Sequence, residues 1–130
     1  MAVQLNHTIV WCRDRQKSAD FLTGILGLPP ARPFGHFLVV DLDNQVSMDF
    51  YQVDEKPRLQ HYAFLISDAE FDQVHERIRE RGLQYWADPN RSQPGEINHY
   101  FGGRGLYFDD PDGHFLEVMT RPYGSDISEA

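Results

Sequence analysis

The sequence has one cysteine, Cys12, in 130 residues. A lone cysteine cannot close an internal disulfide, so the chain must be held by packing alone, which fits a reducing, cytoplasmic setting. Cys12 falls in a strand-like run and reads as a small core residue rather than a nucleophile. Positive charge is scarce as well: 12 Lys and Arg face 20 Asp and Glu, for a net charge of -8 and a pI near 5.0. That balance offers no footprint for phosphate backbones, and nucleic acid is not an expected partner. Long apolar runs are missing. None approaches the roughly 18 to 20 residues that a spanning helix needs, and the N-terminal stretch lacks the charged and apolar regions of a signal peptide, so membrane is not an expected partner either. What remains is 41% hydrophobic and 13% aromatic, too apolar for a disordered chain and long enough for one folding unit with a real core.

The most informative stretch is Gly105 to Met119, two apolar runs joined through Asp110-Pro111-Asp112-Gly113. Proline presets one backbone angle, the aspartates bond their own backbone and glycine tolerates a positive φ, so the spacing predicts a β-hairpin. Strand period two then puts Phe115, Glu117 and Met119 on one face. A carboxylate in such a run is costly to bury without a partner. Glu117 therefore reads as an edge residue facing water, one half of a salt bridge, or a metal ligand. The turn aspartates lack the twelve-residue spacing and closing glutamate of a calcium loop.

Taken from its start, the chain alternates from Gln4 to Cys12, with Leu5, His7, Ile9 and Trp11 on one face. A helix is predicted from about Gln16 to Leu26, ending at Gly27 before Pro29-Pro30. Strands are predicted over His36 to Leu42 and Val46 to Val53, the second carrying Asp49 between Ser47 and Tyr51 on one face. The pattern then restarts. Leu59 to Ile66 is a strand carrying His61, and Ser67 with Glu70 forms a capping box that opens a helix to about Arg81, burying Phe71, Val74 and Ile78. His75 falls off that apolar stripe and is expected in solvent. Tyr85 to Gly105 is polar, rich in Pro, Gly and Asn, and reads as a long loop or an irregular strand pair. Residues 123–130 are expected to be a loose acidic tail.

The halves overlay through their strand histidines. The spacing from Asp49 to Glu117 is 14 residues longer than that from His7 to His61, about the excess in the Tyr85 to Gly105 segment. The overlay sets His7 against His61 and Asp49 against Glu117. Paired about a pseudo-twofold axis, two units would let four polar side chains from four apolar strands converge. Imidazole nitrogens and carboxylate oxygens in that number suit a borderline divalent metal with open positions, or a two-His, one-carboxylate iron site if three of them bind.

Leu5-Asn6-His7-Thr8-Ile9, Phe21-Leu22, Leu26-Gly27-Leu28, His61-Tyr62-Ala63-Phe64 and Tyr107-Phe108-Asp109-Asp110-Pro111-Asp112-Gly113-His114-Phe115-Leu116-Glu117 together resemble the vicinal oxygen chelate superfamily. It includes glyoxalase I, extradiol dioxygenases, fosfomycin-modifying enzymes and bleomycin-resistance proteins. The resemblance implies an α+β fold of two βαβββ modules, about residues 4–56 and 57–122, each a curved half-barrel in a single domain. It implies His7, His61 and Glu117 as metal ligands, with Fe, Mn, Ni, Co or Zn as the divalent ion. A homodimer would bring His7 of one chain to His61 and Glu117 of the other.

In glyoxalase-like members a fourth ligand lies near Asp49; here the aspartate is one methylene shorter than the usual glutamate and could instead be a base or hold a water. The fosfomycin-modifying members share the His-Tyr-Ala-Phe run, but their basic loop is only echoed by Asn90-Arg91-Ser92. Extradiol dioxygenases suggest second-sphere roles for His99, Tyr100 and Tyr107. The expectation is a metal-dependent enzyme, glyoxalase-like or dioxygenase-like, acting on a small molecule that chelates the metal through adjacent oxygens. Asp49 and Glu117 would be its catalytic carboxylates, and Tyr51, Trp86, Tyr100 and Tyr107 its substrate-binding aromatics. The alternative is a resistance protein that sequesters an antibiotic in the dimer crevice, where Trp11 and Phe37 could also stack on the drug.

Overall fold

The computed structural model describes residues 2–125. They fall into two compact units, divided between Leu59 and Gln60. Each repeats one succession: strand, helix, three strands.

The first unit comprises β1 (His7–Cys12), α1 (Arg15–Leu26), β2 (Arg32–Phe34), β3 (Phe37–Asp41) and β4 (Ser47–Gln52). Its sheet order is β1-β4-β3-β2, with β1 and β4 parallel and the other pairs antiparallel. A parallel neighbour cannot be reached by a tight turn, and α1 belongs to the crossover. Asp14 opens α1 by accepting the Lys17 N–H at 3.0 Å. Gly27 closes it at φ 71°, a left-handed conformation that a side chain would strain. Ala19, Leu22 and Ile25 of α1 are buried, as are Val10, Cys12, Leu38, Val40, Met48 and Phe50 of the sheet. The alternate positions, His7, Ile9, Trp11, Ser47, Asp49 and Tyr51, make the other face and are at least partly exposed. Strand β2 escapes the sequence pattern because it is three residues long and contains Pro33, tolerated there only because β2 is the sheet's edge.

The second unit comprises β5 (His61–Leu65), α2 (Asp68–Glu80), β6 (Tyr85–Trp86), β7 (Gly105–Asp109) and β8 (Phe115–Met119), in sheet order β5-β8-β7-β6. The capping box is present: Ser67 Oγ accepts the Glu70 N–H at 3.1 Å, and Glu70 Oε1 accepts the Ser67 N–H at 2.9 Å. The hydrogen bond from Ser67 holds the Glu70 carboxyl below its ordinary range. Helix α2 buries Phe71, Val74 and Ile78, each worth about 1.5 to 3 kcal/mol when fully removed from water. Arg104 lays its guanidinium 4.6 Å over the Phe71 ring and bonds Asp72 at 2.8 Å. The hairpin of β7 and β8 forms as its turn chemistry dictates, with Asp110 Oδ1 accepting the N–H groups of Asp112 and His114, both at 2.9 Å.

The registers repeat. His7 lies opposite Ser47 and Ile9 opposite Asp49; His61 lies opposite Phe115 and Ala63 opposite Glu117. In both units the histidine stands two residues before the partner of the carboxylate. The extra length of the second unit sits between β6 and β7, where residues 87–104 replace the turn Gly35-His36 between β2 and β3. That segment is ordered. Bridges pair Trp86 with Pro94 and Asn98 with Gly105, a short 3-10 turn spans Tyr100–Gly102, and Asn98 Nδ2 donates to the Ala87 carbonyl at 2.7 Å.

Two expectations need correction. His75 is half-buried, not solvated: its ring lies edge-on to Tyr85 at 5.1 Å, Nε2 meets the Tyr85 hydroxyl at 3.1 Å, and burial pushes its pKa down. Tyr123, assigned to a loose tail, has defined partners described below, while residues 126–130 of that tail lie outside the described residues. Among the described residues no helix is long and apolar enough to cross a membrane.

Replacing Ser67 by alanine removes one half of the capping box and should lower unfolding free energy by about 1 kcal/mol. Urea titration followed by circular dichroism measures it, and an unchanged midpoint would mean that the cap contributes nothing.

Candidate metal centre

Strands β5 and β8 are parallel neighbours, so His61 and Glu117 stand on one face, diagonally across the pair. His61 Nε2 is 3.2 Å from Glu117 Oε1. The Glu117 side chain is 1% exposed and that of His61 46%, which rules out a glutamate facing water and leaves the pair open on the histidine side. His61 Nδ1 lies 2.9 Å from the Phe115 carbonyl. A carbonyl only accepts, so Nδ1 carries a proton, and in the neutral ring Nε2 presents its lone pair to a carboxylate that also only accepts. Two acceptors at that distance need either a second proton on the imidazole or a cation between them. Fixing Nδ1–H against a backbone carbonyl is how proteins orient a metal-ligating histidine. By this test the two side chains fit a divalent ion.

Glu117 has a second set of partners. The Tyr123 hydroxyl donates to Oε1 at 2.9 Å and lies 3.1 Å from Oε2, and the Tyr107 hydroxyl lies 3.1 Å from that of Tyr123. Burial pushes both phenols above their ordinary range, that of Tyr107 far above it. Every buried side-chain nitrogen and oxygen among the described residues has a partner. The carboxylate is therefore buried but satisfied, without a lysine or arginine.

An aromatic wall stands beside the pair. The Tyr107 ring stacks on Phe115 at 5.2 Å and on His61 at 6.1 Å, and Trp86 lies 6.4 Å from Phe115. Arg91 covers this wall, with its guanidinium carbon 4.2 Å from the Phe115 centroid and 4.5 Å from that of Trp86. The same guanidinium grips both oxygens of Asp109 at 2.8 Å. Arg91 has φ 59°, in the left-handed region that costs a side-chain residue about 1 to 2 kcal/mol.

The matching face of the first unit carries the other predicted residues. His7 is exposed, with Nδ1 2.8 Å from Asn6 Oδ1, and Asp49 accepts from the Ser47 hydroxyl at 2.8 Å. They line an open hollow with Asn6, Ile9, Arg32 and Phe37. Tyr51 lies edge-on to Trp11 at 5.4 Å and tilted to Phe37 at 5.5 Å. Asp49, one methylene shorter than Glu117, turns to its own strand. Thus His61, Glu117, Tyr107 and Trp86 are gathered in the second unit, and His7, Asp49 and Tyr51 share a face of the first. Tyr100 is 41% exposed on the 3-10 turn, and His99 just before it is exposed. Among the described residues no group of three or more His, Cys, Asp or Glu is placed to hold a metal ion. Sequence reasoning missed Tyr123; the one available signal was a phenol shortly beyond the strand that carries a buried carboxylate.

Comparisons with known proteins agree with this fold. A family model, Glyoxalase/Bleomycin resistance protein/Dioxygenase superfamily, matches residues 4–118. The solved structure of "Oxidase ChaP-H1" is 60% identical, with a TM-score of 0.93, and the match covers 95% of this chain and 99% of that one. "Oxidase ChaP-H2" is 55% identical with the same TM-score, covering 96% and 98%. The "Glutathione transferase FosA" of Serratia marcescens is 32% identical over 91% of this chain and 81% of its own length.

Because Arg91 combines a strained backbone with a stabilising side chain, Arg91→Ala should lower the unfolding free energy by about 1 to 3 kcal/mol, and Arg91→Gly should cost less by relieving the positive φ. Equal losses in urea titrations of the two variants would show that the backbone is not strained.

Proposed function

The chain belongs to the Glyoxalase/Bleomycin resistance protein/Dioxygenase superfamily, and from that premise we propose that it is a metal-dependent oxidase of a small aromatic molecule bearing adjacent oxygens. The observation that carries the reading is the His61–Glu117 pair, an oriented imidazole nitrogen and a buried carboxylate oxygen held 3.2 Å apart. The oxidase assignment is supported by the name and close similarity of ChaP-H1. His61 and Glu117 hold the ion, and His7 of a second copy completes a two-His, one-carboxylate set. Trp11 on the His7 face is 40% exposed and Leu65 on the His61 face 60%; ligand-bearing faces with exposed apolar neighbours favour cover by a homodimer. Such a set suits iron, which when bound supplies Lewis acidity and one-electron chemistry with positions left open for substrate and dioxygen.

The chain's own residues supply the rest. Tyr107 and Trp86, 2% and 8% exposed, back the His61 side of the site from within the packed rings, and the more accessible Tyr51 and Tyr100 are the candidates for contact with an aromatic substrate. Asp49, held by Ser47 and outside the ion's set, is the proton acceptor for a substrate hydroxyl. An anionic substrate of the fosfomycin kind is disfavoured: Arg32 and Arg91, the guanidiniums on these faces, are already paired with Asp41 and Asp109. A sequestering role would leave the His61–Glu117 arrangement without a use.

Freshly purified protein reconstituted with Fe(II) should hold about one iron per chain, and His61→Ala or Glu117→Ala should hold none while remaining folded. Iron retained by either variant would refute the site. Co-expression of His7→Ala and Glu117→Ala chains on different tags should give a heterodimer with one intact site, about one iron per two chains; no iron would refute the shared centre. Asp49→Asn should keep its iron and lose about 10²- to 10⁴-fold in substrate-dependent oxygen uptake. Unchanged uptake would remove Asp49 from the chemistry.

A further inference from the structure

We infer that Tyr123, presented from beyond the last strand, is a positioning residue for the metal-binding carboxylate and the middle of a one-way hydrogen-bond relay from Tyr107 to Glu117. The inference rests on the metal reading of His61 and Glu117. The polarity follows from the partners. A carboxylate only accepts, so Tyr123 must donate its single hydroxyl hydrogen to Glu117, 2.9 Å from Oε1 and 3.1 Å from Oε2. The hydroxyl 3.1 Å away on Tyr107 is then the donor to Tyr123. The relay ends on the oxygen that faces His61 Nε2 at 3.2 Å.

This relay stands outside the repeat. In the first unit the corresponding carboxylate, Asp49, is held by Ser47 of its own strand. The second unit's carboxylate is held by a residue four beyond Met119, the end of β8. Tyr123 is 60% exposed, so it contributes little to the core, and what it places precisely is its hydroxyl. Its ring is backed by Phe101 of the inserted segment at 5.8 Å, and the Tyr107 hydroxyl fixes its far side. The insertion between β6 and β7 and the segment after β8 thus cooperate to aim one carboxylate. Partners of this kind orient a ligand and tune its basicity, and their loss commonly weakens metal binding about 10- to 100-fold.

Cobalt(II) alone, titrated into metal-free protein, tests the idea through affinity and visible absorption, with no turnover required. Tyr123→Phe should remain folded, weaken Co(II) binding about 10- to 100-fold and alter the visible bands. Tyr107→Phe should weaken it less, and the double variant should lose less than the sum of the two single losses, because Tyr107 acts mainly through Tyr123. Parent affinity and spectrum in Tyr123→Phe would overturn the inference while the metal reading stands. Additive losses in the double variant would overturn the relay. Failure of the parent to bind Co(II) would overturn the metal reading and this inference with it.

Discussion

The second unit is organised around a buried carboxylate. Glu117 sits in the middle of an apolar strand, almost wholly removed from water, and an ionised carboxylate there is tolerated only with strong partners. The fold supplies none of the usual ones. In place of arginine or lysine it brings an imidazole across the parallel β5–β8 pair and a phenol from beyond the last strand. The imidazole is oriented by a backbone carbonyl so that its other nitrogen faces the carboxylate. The carboxylate is satisfied by these partners alone, and its oxygen and the imidazole nitrogen face one another on the open side of the pair.

The two units show how one topology is put to unequal use. Both place a histidine and a carboxylate on the same face at the same register. In the first, the aspartate accepts from Ser47 of its own strand, while His7 stays exposed beside Asn6. In the second, the longer glutamate meets His61, and the inserted segment adds Arg91, which seals Trp86 and Phe115. The repeat supplies the scaffold, and what departs from the repeat supplies the chemistry.

Much of this was legible in the sequence, for physical reasons. Period-two runs through His7, Asp49, His61 and Glu117 gave their shared faces, the Ser67–Glu70 box gave the start of α2, and Asp110-Pro111-Asp112-Gly113 gave the last hairpin. What escaped was encoded without period. Strand β2 is three residues around a proline. Arg91 reaches its ring partners from an aperiodic segment, and Tyr123 acts from a stretch whose composition reads as a polar tail. His75 was misjudged because its helical position looks outward, yet Tyr85 from the next strand folds over it.

The account stands or falls on whether His61 and Glu117 hold a metal ion. Crystals of the protein reconstituted with Fe(II), measured at the iron absorption edge, test this most directly. The account predicts an anomalous peak about 2.0 to 2.2 Å from both His61 Nε2 and a Glu117 oxygen, distances typical of such bonds. A peak elsewhere, or a fully iron-loaded protein with no peak at this pair, would contradict it.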